Sequence, residues 1–157
     1  MNPEDRSVLQ SLLFDRRVSS LGVLRDGAPY VAMMPFAWEP DHSALLIHAS
    51  RLGLHTQGLG EGAPFSLLIH AGEDSGAHPL QLPRVSIQGR VTVVPRDSAG
   101  FAAAREAYLR KFPDAAQSFG LGDFELYRLV PSGARLVAGF GRIFSLKASD
   151  LKTALAV

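Results

Sequence analysis

The chain has 157 residues, 46% hydrophobic and 20% charged, with 16 Lys and Arg against 15 Asp and Glu for a formal net charge of +1. Those values fit a single folded domain, 1–157, with its own core, and they exclude a disordered chain and a basic nucleic-acid surface. Cysteine is absent, which removes disulfides, thiol nucleophiles and thiolate metal ligands and suits a reducing, cytoplasmic setting. No run approaches the roughly 20 apolar residues of a membrane span. The first 17 residues carry Glu4, Asp5 and Asp15 and do not read as a signal peptide.

A helix is predicted within 1–17. Asn2 precedes Pro3, two acids follow, and Val8, Leu9, Leu12 and Leu13 form an apolar stripe at helical spacing. Strand-like runs at 20–25 and 28–34 flank Asp26-Gly27, a strong hairpin signal. A turn at 39–43 feeds a strand at 44–49. There the chain enters Ser50-Arg51-Leu52-Gly53-Leu54-His55-Thr56, after which the pattern predicts a further helix.

Unpaired N–H groups at a helix start favour an anion. Arg51 adds a planar fork of donors, and Ser50 and Thr56 add hydroxyls. The segment therefore reads as a candidate phosphate cradle, with plain helix capping by Ser50 as the competing reading.

A strand at 64–71 and a loop at 72–82 come next. Residues 84–94 then alternate, with Val85, Ile87, Gly89, Val91 and Val93 on one face and Arg84, Ser86, Gln88, Arg90 and Thr92 on the other. That polar face suits a solvent edge, a ligand cleft or a subunit interface. A helix is predicted from Asp97-Ser98 to Lys111, a short turn at Pro113-Asp114, and two strands near 124–130 and 134–140 joined by Pro131-Ser132-Gly133. A short helix is expected in 147–157. Six or seven short strands with two or three helices point to a mainly β fold, an antiparallel barrel with flanking helices.

The order of these pieces resembles the FMN-binding split β-barrel family of pyridoxamine-5′-phosphate oxidase-like proteins, closest to its haem-utilisation branch. The likeness rests on Leu21-Gly22-Val23-Leu24 with Asp26-Gly27-Ala28-Pro29-Tyr30-Val31, on Ser50-Arg51-Leu52 with His55-Thr56, and on 83–90. It continues through Phe112-Pro113-Asp114-Ala115, Gly122-Asp123-Phe124 and 137–142. The resemblance implies a homodimeric split barrel with FMN at the subunit interface. It implies phosphate contact by Ser50, Arg51, His55 and Thr56, and passage of the strand holding Tyr30, Val31 and Met33 along the flavin ring. Arg84 and Gln88 suit either cofactor contact or cross-strand pairing.

The oxidase proper carries a Ser-Arg-Lys cluster where this chain has Leu54-His55-Thr56, so Arg51 is expected to supply the lasting charge. The oxidase's C-terminal Arg and His pattern is absent as well. His42, His48, His55, His70 and His78 show no metal-like spacing, and His48 reads as a buried strand residue. No Gly-x-Ser-x-Gly elbow is present, and no residue stands out as a general acid or base. The expected function is an FMN-dependent oxidoreductase taking a small-molecule substrate or an electron donor such as NAD(P)H, with no nucleic-acid or membrane partner. Haem handling and non-catalytic flavin binding are the alternatives. Larger haem-utilisation proteins carry a further C-terminal domain, and 147–157 holds no His, Cys or Met to act as an axial ligand.

Overall fold

A computed structural model describes residues 1–156. Helix α1 (Pro3–Phe14) starts where Asn2 Oδ1 accepts the Asp5 N–H at 2.8 Å, with proline in the first turn. It buries Leu9, Leu12 and Leu13. Strands β1 (Val18–Arg25) and β2 (Ala28–Pro35) form the expected hairpin. Asp26 (φ 50°) and Gly27 (φ 77°) are both left-handed, which matches the twist of the flanking strands.

Strands β3 (Ala37–Trp38), β4 (Leu45–Ser50), β5 (Pro64–His70) and β6 (Arg84–Val94) follow. After them come helices α2 (Phe101–Lys111) and α3 (Ala116–Phe119), strands β7 (Phe124–Gly139) and β8 (Arg142–Lys147), and helix α4 (Ala148–Leu155). The last residue of the expected 147–157 helix, Val157, lies outside the described residues. No helix among the described residues is long and apolar enough to cross a membrane.

One antiparallel sheet runs β2-β1-β5-β6-β7-β4-β3, with β8 beside the second half of β7. It curls round a core that includes Leu21, Ile47, Leu67, Ile87 and Leu136. Helices α1 and α4 add Leu9, Leu13 and Leu155 to that core. The two ends of the sheet do not join, so the barrel is split. Outside β3, β4 and β7, helix α2 and Phe119 close a second core on Leu46, Ala104, Tyr108 and Leu126.

Four expectations need correction. Helix α2 begins at Phe101, not at Asp97, because Ser98 turns back on Pro95 through both its N–H and its hydroxyl. The strands expected at 124–130 and 134–140 are one strand, β7, with Pro131-Ser132-Gly133 inside it. Gln88 pairs with Gly133 but Gly89 with Pro131, so Ser132 is the extra residue of a bulge, and a proline is tolerated there. Gly89 is forced at the bulge, since a Cβ would lie 1.9 Å from the Val130 carbonyl oxygen. Beyond it the alternation of β6 slips, and Val91 and Val94 are buried where Val93 is only half-buried. The sequence reading also missed β8, which a tight turn at Gly139 to Gly141 folds back onto β7.

The outer face over β2, β1, β5 and β6 carries neither α2 nor α3. Across it run two rows in register: Val31, Gly22, Ser66, Gln88, Gly133, Lys147 and Met33, Ser20, Leu68, Ser86, Arg135, Ser145. Gly22, Ser66 and Gly133 in the first row and Ser20 and Ser86 in the second alternate with the larger Gln88, Leu68 and Arg135, while Val31 (65% exposed) and Met33 (70%) stand at the rim.

Candidate functional site

The segment after β4 is not a helix. His55–Gly58 is a four-residue 3-10 turn, entered through i+3 bonds from Gly53 to Ser50 and from Thr56 to Gly53. So short a turn gives little dipole for an anion. Thr56 explains the coiling. Its Oγ1 lies 2.5 Å from the Ser50 carbonyl oxygen and 2.8 Å from that of Gly53, which commits its one proton to the chain's own backbone. Ser50 is equally committed. Its hydroxyl donates to Asp123 Oδ2 at 2.6 Å and accepts the Leu52 N–H at 3.1 Å, so a capping-type contact is real.

Arg51 and His55 remain. The Arg51 guanidinium donates to the Gly122 carbonyl at 3.0 Å and stands 3.6 Å from Glu125, with 58% of its side chain exposed. That loose pair holds the cation without fixing it. His55 Nε2 is buried and has no hydrogen-bond partner among the described residues, and burial lowers the imidazole pKa, which keeps the ring neutral. Behind Arg51, the Tyr127 hydroxyl donates to Glu125 Oε2 at 3.1 Å. Burial and that carboxylate raise the phenol's pKa. Two clefts, of about 230 and 250 Å³, open on either side of Arg51.

The turn packs against β1 and β2. A Cβ on Gly58 would come within 2.7 Å of the Leu24 carbonyl oxygen and of Val23. Arg25 ties the two regions: its Nε and one terminal nitrogen donate to Gln57 Oε1 at 3.2 and 3.1 Å, and its guanidinium lies 5.0 Å from the centre of the Tyr30 ring. Strand β2 is the terminal strand of the sheet, bonded only to β1.

The nine residues singled out from sequence therefore fall into groups. Ser50, Arg51, His55 and Thr56 form the turn. Val31, Met33 and Gln88 share the uncovered outer face. Tyr30 points to the opposite side of β2 from Val31 and Met33, among residues packed on the core. Arg84 donates to the carbonyls of Leu80 (3.1 Å) and Leu82 (3.0 Å), so it straps its own loop. The sequence reading left Arg25, Gln57, Glu125 and Tyr127 unassigned. Asp123 had a signal, in Gly122-Asp123-Phe124. Glu125 and Tyr127 had none, because only the β4–β7 register brings them to the turn.

Residues 7–138 match the family model of pyridoxamine 5′-phosphate oxidase. The fold is similar to a heme-binding protein from Mycobacterium smegmatis (22% identity, TM-score 0.84), covering 98% of this chain and 62% of that one. It is similar to HutZ, the heme storage protein of Vibrio cholerae (19%, TM-score 0.69), over 92% of this chain and 94% of that one. It is also similar to an FAD-binding protein from Mesorhizobium loti (16%, TM-score 0.61), over 85% of this chain and 92% of that one. At such identities the likeness is one of fold. No curated protein matches the chain. A split antiparallel barrel whose sequence matches the family model from the middle of α1 to the end of β7 places this chain in the pyridoxamine 5′-phosphate oxidase family.

Proposed function

We propose that this chain is an FMN-binding flavoprotein that works in oxidation–reduction as a homodimer, with NAD(P)H or another small molecule as electron donor. The observation carrying this reading is the unpaired edge of β2 beside the turn that holds Arg51 and His55. FMN has a dianionic phosphate at one end and, at the other, a flat ring with hydrogen-bonding groups along one side. A free strand edge offers alternating N–H and C=O groups for such a ring. Arg51 is mobile enough to leave Glu125 for a phosphate, and the orphaned His55 Nε2 is a donor in the tautomer protonated there.

Those two groups fit the phosphate, and the β2 edge fits the ring. Ser50 and Thr56, whose hydroxyl protons go to the protein itself, shape the loop. Glu125 opposes a dianion, and the Tyr127 hydroxyl bonded to it tempers that opposition. Bound flavin supplies reversible electron and hydride transfer. The chain's part is to hold the phosphate, orient the ring and keep water from it. A second copy on the outer face at Val31 and Met33 buries apolar side chains now in water.

Haem is the second reading. The likeness to heme-binding proteins favours it, and His55 Nε2 is an imidazole nitrogen with no other partner. Equilibrium titrations with FMN, riboflavin and haemin decide between the readings. Saturable FMN binding at least about tenfold tighter than riboflavin, with no stoichiometric Soret shift, is the expected result. Equal affinity for the two flavins removes the phosphate from the turn. A stoichiometric haemin complex indifferent to FMN makes haem the ligand.

A further inference from the structure

Where α1, β3 and α2 meet lies a cavity of about 320 Å³ that shares no lining residue with the clefts at Arg51. Its volume falls at the small end of ligand sites, about 300–1,000 Å³. One wall is aromatic. The Phe14 and His42 rings meet edge to face with centroids 5.5 Å apart, and the Trp38 indole N–H is fixed to the Leu13 carbonyl at 3.2 Å. His42 is itself held in a left-handed conformation (φ 55°) at the end of a turn whose N–H bonds the Glu39 carbonyl at 2.9 Å.

Lys111 supplies the charge. Its ammonium donates to the Arg16 carbonyl at 2.6 Å and sits 4.0 Å from the centre of the buried Phe36 ring. Among the described residues no carboxylate lies within ion-pair distance of it; beyond the Arg16 carbonyl it meets the faces of Phe36 and Phe112. Of the other charges lining the cavity, Glu39 pairs with Arg128 and Arg110 with Glu106. Burial, with Arg17 nearby, brings the Lys111 pKa down to about 8, although Asp15 pulls the other way. A half-buried cation lacking a counter-ion, set in a cavity, is stabilised by an anion that enters.

We propose that this cavity is a second ligand site, which takes a small aromatic carboxylate with its charge on Lys111 and its ring among Phe14, Trp38 and His42. Among the described lining residues Lys111 is the one cation outside an ion pair, which matches a monoanion, and the Glu39 carboxylate disfavours a dianion. Flat rings gain most from walls of this kind.

Trp38 is the only tryptophan in the chain, so its fluorescence reports on this cavity. The purified protein is titrated with benzoate, with benzyl alcohol as the uncharged control and acetate as the ringless one. Benzoate is expected to give a saturable change, with both controls at least about tenfold weaker. Lys111→Met should weaken benzoate about tenfold while circular dichroism and FMN affinity stay as in the wild type. No saturable change with benzoate, benzyl alcohol binding as tightly as benzoate, or undiminished binding by Lys111→Met overturns the proposal. The benzoate and benzyl alcohol comparison needs no variant, so it decides even if Lys111→Met does not fold.

Discussion

The Ser50 hydroxyl donates to Asp123 across 2.6 Å and so joins the end of β4 to the residue just before β7. The backbone N–H of Arg51 donates to the Asp123 carbonyl at 2.7 Å, which makes the joint double. A serine placed beside an arginine reads in sequence as a phosphate ligand. Here its hydroxyl fastens two strands, and in the proposed site the phosphate contact falls to Arg51.

Arg51→Ala and Ser50→Ala should therefore behave differently. Losing the guanidinium removes a charge-assisted contact worth on the order of 1.5–3 kcal/mol, so FMN affinity falls roughly ten- to a hundredfold. Riboflavin affinity should hardly move. His55→Ala acts in the same direction but less, since a neutral imidazole gives one hydrogen bond. Ser50→Ala should instead lower stability by about 1–2 kcal/mol and weaken both flavins alike. Paired titrations with FMN and riboflavin, beside urea unfolding, separate the two roles.

Arg142 anchors α1 to the turn before β8. Its Nη1 lies 3.0 Å from the buried carboxylate of Asp5 and 3.2 Å from Glu4. Arg142→Ala leaves the buried Asp5 carboxylate without its cation, which should cost about 3 kcal/mol. The double variant Arg142→Ala with Asp5→Leu should recover much of that loss. Denaturant unfolding of the set measures both effects.

His48 gives the fold a dependence on pH. Its ring stacks on Phe119 at 3.7 Å and 5°, also touches Tyr108 and Phe124, and lies 3.4 Å from the Ser118 hydroxyl. Burial, with Arg96 adding to it, lowers its pKa from 6.5 to about 4. The unfolded chain therefore binds a proton between those values that the folded one refuses. Stability contributed by neutral His48 is complete above pH 6.5 and falls as the pH drops towards 4, by up to about 3 kcal/mol. His48→Phe keeps the stack without the titration. The difference in unfolding free energy between wild type and variant should shift by that amount between neutral and acid pH, whereas the carboxylates, common to both, cancel.

Gly89→Ala tests the bulge. An added methyl meets the Val130 carbonyl oxygen at 1.9 Å, and backbone cannot swing aside as a side chain can. A loss of about 3 kcal/mol is expected, read from the midpoint of urea unfolding. Gly27→Ala meets no atom within 4 Å and suffers only the strain of its left-handed backbone, about 1 kcal/mol.

Local chemistry explains what the sequence made legible. Asp26-Gly27 codes a turn within two residues, Asn2-Pro3 codes a helix start, and the alternation of 84–94 codes a strand end to end. What escaped was non-local. A bulge at Ser132 exists only because β6 pairs opposite it, and a proline inside a strand reads as a break until that partner is in place. Strand β8 turns Phe144 and Leu146 to the core and leaves Ile143 and Ser145 outside, a short alternation that the tight turn at its start hides until its pairing with β7 is in place. At the site, cation and imidazole were legible as residue types. That Thr56 and Ser50 spend their protons on the protein itself follows from contacts no spacing predicts.

A flavoprotein of this kind carries FMN when it is purified with no ligand added. Absorbance of the native protein, with mass spectrometry of the small molecule released on denaturation, measures this most directly. The expected result is flavin bands near stoichiometry with a released mass equal to FMN, and bleaching of those bands by a reductant. A protein that carries riboflavin or FAD in place of FMN, or shows a Soret band with haem released, or stays colourless and binds no added FMN, contradicts it.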